Sequence, residues 1–327
     1  MTETREIHLV RRPNGMPVAE DFAVAAAPLG EPGDGEVLLE ALWLSVDPYM
    51  RPRLDADQKL GAALIGSGIA RVVQSRDPGL VEGDVVIHRA GMRERFVAPA
   101  AQLRKLSPDP DLPPSTYMHA LGGTGMTAYG GLLEIGALKD GEQVFVSTAA
   151  GAVGSVVAQI AKIKGCYVVG STGSAEKAEW LRDELGLDAV INYREEPIGP
   201  ALKAATPKGI DVYFENVGGG HLDAALPRMN DRGRIPVCGM ISTYNGDREG
   251  VRNLSSIIYS RVRMQGFVGG DFPHLAEAFQ RDMTQWLKDG RIKTAETVLD
   301  GFESAPEGLI GLFEGRNTGK MLIRVPE

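Results

Sequence analysis

The sequence predicts an α/β protein in two parts: a β-rich, barrel-like first part, then a doubly wound parallel sheet covered by helices. Three observations predict it. Short β-type runs broken by turn residues fill 36–106, strands and helices alternate regularly from about residue 140, and a turn of small residues joins the first strand of that second half to its first helix. A chain of 327 residues also exceeds what one core usually organises, so two domains are expected.

In the first part, Val37, Leu39, Ala41 and Trp43 alternate and so fall on one face of a strand. Ile69 to Val73 and Val85 to Ile87 give further strands. Pro28, Gly30, Gly33, Gly66, Gly68, Pro78, Gly79 and Gly83 punctuate them at the spacing of a compact antiparallel barrel or sandwich.

The pattern changes near Leu121. After an Asp140-Gly141 turn, Val144 to Ser147 reads as a short buried strand. Val153, Val156, Val157, Ile160 and Ile163 then follow helical spacing, with Gly165 as a stop. Strands are predicted at Tyr167 to Gly170, Ala189 to Asn192, Asp211 to Phe214 and Arg234 to Cys238. Helices are predicted over Ala175 to Leu185 and from about Leu275 to Leu287. Pro236 conflicts with its strand, because it lacks the N–H that a ladder uses.

Lys and Arg number 35 against 43 Asp and Glu, and the net charge of -8 gives no attraction to nucleic acid or to an anionic membrane surface. Residues Met1 to Arg12 carry charges of both signs, and no stretch approaches the roughly 20 apolar residues of a membrane span. A cytoplasmic protein is expected. Cys166 and Cys238, far apart in sequence, suit a reducing compartment and exclude a disulfide framework or a tetrathiolate metal site.

The small-residue turn is Ala149-Ala150-Gly151-Ala152-Val153-Gly154, which matches G-x-G-x-x-G with alanine for the first glycine. Small residues permit a tight turn, backbone close to a pyrophosphate, and close helix-to-strand packing. The helix expected to start near Ala152 would aim free N–H groups and its positive dipole end at a diphosphate. About 20 residues on, where an NAD enzyme places an acid for the ribose hydroxyls, the text is Gly170-Ser171-Thr172-Gly173-Ser174. With no acid there, and with Lys177 just inside the next helix, a ribose phosphate can bind, and NADPH is the expected cofactor.

In these residues the chain resembles the prostaglandin reductase and alkenal double-bond reductase branch of the medium-chain dehydrogenase/reductase superfamily. Six segments carry the resemblance in order: Ser45 to Arg51, Ala149 to Ser155, Asn192-Tyr193, Glu215 to Gly219, Cys238 to Tyr244, and Asn317 to Lys320. It implies a GroES-like domain over 1–120, a Rossmann domain over 121–298, and a segment over 299–327 that returns to the first. It also implies an NADPH cofactor in a cleft between domains, a homodimer, and reduction of the double bond of an enal or enone. By this likeness Gly151, Ala152, Val153, Gly154 and Ser155 cradle the diphosphate, and Lys177 and Tyr193 hold the ribose phosphate. Asn216, Cys238, Gly239, Ile241, Ser242, Thr243, Tyr244, Phe267, Val268, Gly269 and Asn317 line the adenosine and nicotinamide. The segment Gly122 to Thr127 departs from a more usual Gly-Met-Pro-Gly-Leu-Thr.

Zinc alcohol dehydrogenases of this superfamily gather Cys, His and acidic ligands at one point. Here His8, His88, His119, His221 and His274 show no ligand spacing with either cysteine, and Asp47-Pro48-Tyr49 stands where a zinc enzyme would place a cysteine. The site is expected to be metal-free. Hydride delivered to the far carbon of a conjugated enone spreads charge into an enolate, which hydrogen-bond donors stabilise. Tyr259 is the preferred phenol, because similar plant reductases place a tyrosine over the substrate. Tyr49 is the second candidate, and the cofactor's ribose hydroxyl is the alternative donor. A quinone reductase of the same superfamily and a non-catalytic NADPH-binding sensor are the competing readings.

Overall fold

A computed structural model describes residues 2–246 and 250–326, and the chain divides into two compact units. One unit holds the residues up to Met118 and those from Glu296 onward; the other runs from His119 to Ala295. The returning segment therefore begins with a whole strand, whose first residue Glu296 pairs with Lys320, and Leu299 lies inside it.

In the first unit, β1 (Thr2–Leu9) and β2 (Phe22–Leu29) form an antiparallel ribbon. Next come β3 (Glu36–Ser45), α1 (Met50–Ala56), β4 (Ser67–Ser75), β5 (Val85–His88), β6 (Arg95–Pro99) and β7 (Arg104–Lys105). In the second unit, α2 (Gly123–Gly130), β8 (Gln143–Val146), α3 (Gly154–Ile163), β9 (Tyr167–Thr172), α4 (Ala175–Glu179), β10 (Ala189–Asn192) and α5 (Ile198–Ala205) follow. It continues with β11 (Ile210–Phe214), α6 (Gly219–Ala225), β12 (Met229–Val237), α7 (Ser255–Tyr259), β13 (Arg263–Gly266) and α8 (Ala276–Lys288). The chain then re-enters the first unit as β14 (Glu296–Asp300), α9 (Ala305–Glu314) and β15 (Lys320–Arg324).

The main sheet of the first unit runs β14-β15-β3-β4-β5-β7, with β6 also on β3. Val37 and Leu39 of β3 pack with Val72, Val86 and Phe96, as alternation predicts. A register shift between Ala41 and Trp43 then reverses the phase. Leu44 and Val46 enter the second core cluster with Met50, Leu54 and Ile323, while Trp43 is only half-buried. The expectation that Trp43 shares the face of Val37 is corrected by that bulge.

The sheet of the second unit is parallel throughout, in the order β10-β9-β8-β11-β12-β13. The helix α3 buries Val156, Val157 and Ile160 completely, each contributing roughly 1.5–3 kcal/mol. It stops where Gly165 turns to φ +70. It begins at Gly154, two residues later than expected, because Ala152 and Val153 are still in the turn. The helix expected to Leu185 is α-helical only to Glu179 and then widens into a π turn over Trp180–Glu184. Pro236 does lie inside β12, opposite Gln265 of β13, and its carbonyl accepts from Glu215 N. Among the described residues no helix is long and apolar enough to cross a membrane.

Candidate cofactor site

The loop between β8 and α3 is shaped by close backbone approach. Thr148 adopts the left-handed region at φ +50, and its carbonyl accepts from Gly151 N at 3.0 Å. A Cβ on Gly154 would stand 2.3 Å from that same carbonyl oxygen, so only glycine lets the helix start here. Alanine in the first glycine position is accommodated from the neighbouring strand: a Cβ on Gly170 would lie 2.7 Å from the Ala149 Cβ. Ser155 N reaches back to Gly151 O, whereas the N–H groups of Ala152, Val153 and Gly154 have no hydrogen-bond partner among the described residues. The Ser155 hydroxyl is also buried without a partner. Unsatisfied donors at a helix start are what an anion requires.

A second cluster forms at the ends of β9 and β10. Ser174 caps α4 by accepting from Lys177 N, which places the Lys177 side chain at the helix start. The Lys177 ammonium is pushed down in pKa by burial and by the neighbouring Arg194 guanidinium. An anion bound there relieves that repulsion. Tyr193 lies beside Gly173, and Arg194 Nε comes within 3.3 Å of where a Gly173 Cβ would be. His221, from α6, meets the Tyr193 ring edge to face at 5.0 Å. Arg194 is not among the candidates named from the sequence, and His221 is weighed there only as a metal ligand. The signal for Arg194 was its place directly after Tyr193 at a strand end; His221 offered none.

At the ends of β8, β11 and β12, Glu215 is fully buried and organises the loops that follow. Its Oε1 accepts from Ser147 Oγ at 3.1 Å, Val217 N at 2.6 Å and Gly218 N at 3.0 Å. Asn216 is fixed to Ser147 twice, donating from N to Oγ and from Nδ2 to the carbonyl. The carbonyls of residues 215–217 accept from the N–H groups of Cys238, Gly239, Ile241 and Ser242. Thr243 Oγ1 donates to Met240 O, and the Tyr244 hydroxyl accepts from Met240 N. The Asn216 and Cys238–Tyr244 segments are thus brought together. Burial, with Glu215 nearby, pushes the Cys238 thiol up to about 12, so it is not a nucleophile.

The remaining expected residues lie on several elements of the two units. Phe267 packs its ring on Phe214 and Phe272, and against Gly131, while Val268 beside it is 65% exposed. A Gly269 Cβ would crowd Thr127 Oγ1 at 2.5 Å. Tyr259, at the end of α7, is 79% exposed. Tyr49 and Asn317 belong to the first unit, where Asn317 Nδ2 donates to Gly319 O. Burial, then Asp47, pushes the Tyr49 phenol up in pKa. Asp47 itself is engaged by Lys320, a buried ammonium 2.8 Å from Oδ1 that also donates to the Val46 carbonyl.

The histidines are separately employed: His8 contacts Glu6, His274 contacts Glu134, and burial pushes His88 down to about 4. Among the described residues no group of three or more His, Cys, Asp and Glu side chains is placed to hold a metal ion.

A phosphate-type loop on a parallel sheet, joined to a β-rich unit, defines the class as a two-domain pyridine-nucleotide oxidoreductase. Two family profiles match, "N-terminal domain of oxidoreductase" over residues 5–106 and "Zinc-binding dehydrogenase" over 152–289. The chain is 46% identical to the NADP(+)-dependent 2-alkenal reductase of Nicotiana tabacum, over 90% of this chain and 88% of that one. It is 41% identical to the NADPH-dependent curcumin reductase of Escherichia coli, over 97% and 95%. CurA of Vibrio vulnificus, solved in complex with NADPH, superposes with a TM-score of 0.92 at 38% identity, covering 99% of both chains. The chain belongs to the zinc-independent, prostaglandin and alkenal reductase branch of the medium-chain dehydrogenase/reductase superfamily.

Proposed function

We propose that this protein reduces the carbon–carbon double bond of α,β-unsaturated aldehydes or ketones with NADPH and without a metal. The observation that carries the reading is the placement of Tyr193 and Arg194 beside Gly173, with the Lys177 ammonium within the electrostatic reach of Arg194, where an NAD enzyme would present an acid. The residues present fit NADPH: two cations and a phenol suit the ribose phosphate, and the unpartnered N–H groups of Ala152 to Gly154 suit the diphosphate. Asn216 and Cys238–Tyr244, held by Glu215, form the wall for adenosine and nicotinamide.

NADPH, when bound, supplies the hydride that the β-carbon of the substrate accepts. The chain's own task is to orient the alkene and stabilise the charge that reaches the carbonyl oxygen, and a proton taken up from solvent at the α-carbon completes the reduction. A phenol does this as a neutral donor, and Tyr259 and Tyr49 are the candidates. Both tyrosine assignments come from the resemblance.

A homodimer is part of the proposal. The strand β13 closes one edge of the parallel sheet with Arg263, Gln265 and Gly266 exposed. Just before it, Leu254, Ile258 and Tyr259 are 50%, 74% and 79% exposed, and a second copy is the occupant that would cover such an edge. We place the protein in the cytoplasm, where Cys166 and Cys238 remain thiols.

The test is to follow NADPH consumption with an alkenal, an enone, a quinone and a saturated aldehyde, with and without chelator. Turnover of the alkenal or enone, unaffected by chelator, is expected. Loss of activity with chelator would refute the metal-free reading, and turnover of quinones alone would favour a quinone reductase. Analytical ultracentrifugation that finds only monomer would remove the dimer.

A further inference from the structure

One side chain, just ahead of the divergent segment 122–127, reaches the loop before α3. His119 is completely buried, and its Nε2 lies 2.9 Å from the Ala152 carbonyl oxygen. A carbonyl only accepts, so Nε2 carries the proton and donates. The backbone from which the imidazole projects is itself pinned. The His119 carbonyl accepts from the N–H groups of Gly122 and Gly125 and from Thr124 Oγ1, all at 3.0 Å. Gly125 has no alternative there, because a Cβ would stand 1.9 Å from the Ala120 carbonyl oxygen. Threonine at position 124, where similar reductases more usually have proline, supplies the hydroxyl of that set.

In a trans peptide the C=O and N–H point in opposite directions. Drawing the Ala152 carbonyl onto His119 therefore aims the Val153 N–H away from His119. That N–H has no hydrogen-bond partner among the described residues. Without the imidazole, the Ala152–Val153 peptide is free to rotate and turn its carbonyl oxygen, instead of its N–H, toward an anion.

We propose that His119 is a positioning residue for the cofactor's diphosphate, holding the Ala152–Val153 peptide so that its N–H faces the phosphate oxygens. The proposal rests on the reading that residues 151–155 receive the diphosphate. It extends the phosphate loop to a side chain 33 residues earlier in the chain.

Calorimetric titration of the full chain tests it with two ligands: NADPH, and 2′-AMP, which carries the ribose phosphate but no diphosphate. His119→Leu removes the donor at similar volume and should weaken NADPH about tenfold while leaving 2′-AMP unchanged. His119→Gln, whose amide donates with similar reach, should restore most of the NADPH affinity. Unchanged NADPH binding in the leucine variant, or a loss that 2′-AMP shares equally, overturns the proposal. If circular dichroism shows that the leucine variant does not fold, His119→Asn, whose amide is too short, is compared with His119→Gln, and equal affinities overturn it. An unsubstituted chain that binds 2′-AMP but gains nothing from the diphosphate of NADPH would instead sink the reading of the loop.

Discussion

The hydroxyl oxygen of Tyr193 stands 2.7 Å from where a Cβ on Gly173 would be. The two residues come from adjacent strand ends, and the absence of a side chain at one lets the phenol of the other lie beside the cationic pair. Gly173→Ala should displace Tyr193 and weaken NADPH several-fold, with NADH little changed. Fluorescence titration with both cofactors checks this, and equal affinities before and after substitution would disconnect the contact from phosphate recognition.

Burial and the Arg194 guanidinium lower the Lys177 pKa, with Glu176 acting the other way, and a bound phosphate would add a further opposing charge. Lys177→Ala and Arg194→Ala should each weaken NADPH by roughly ten- to a hundredfold, the range of a charged hydrogen bond, and affect NADH far less. Kd values for the two cofactors decide it: a matched loss for both would show that neither side chain reads the phosphate.

For Tyr259 the expected outcome is kinetic. Tyr259→Phe removes only a hydroxyl and keeps the ring, so it should leave stability and NADPH affinity intact while lowering kcat roughly tenfold, as loss of one hydrogen bond to developing charge would. An unchanged kcat with an enone removes Tyr259 from the mechanism and leaves Tyr49 or the ribose hydroxyl.

Acid stability should report on buried imidazoles. Burial lowers His221 from 6.5 to about 4, and lowers His88 equally, so the folded chain resists protons that the unfolded chain takes up. Their stabilising effect is complete above pH 6.5 and is lost as pH falls toward 4, by on the order of 3 kcal/mol for each group. His221→Leu should flatten the fall of the unfolding midpoint across that window in denaturant titrations. An undiminished slope would mean that other groups carry it.

Legibility varied with the range of the interaction. Alternation in Val37 and Leu39 was readable, yet the bulge that sends Leu44 inward, into the cluster that also takes Ala41, was not, because Trp43 and Leu44 are both apolar and either phase fits. The missing acid after β9 pointed to NADPH, and Lys177 followed from it. Arg194 did not, since only the parallel pairing of β9 with β10 sets Gly173 beside Tyr193 and its neighbour. Glu215 stood in a quoted segment without a role. Its role is to fix Ser147 and two backbone N–H groups, which depends on β8 and β11 lying side by side.

The amino-acid sequence by itself determined the order of strands and helices and the small-residue loop. These are properties of side-chain period and residue size over a few consecutive positions. Only the tertiary structure decided that His119 grips the Ala152 carbonyl, that Lys320 engages Asp47, and that Arg194 acts on the Lys177 charge. Those pairings join residues remote in the chain, and their geometry is set by how strands stack and helices pack, which no local pattern specifies.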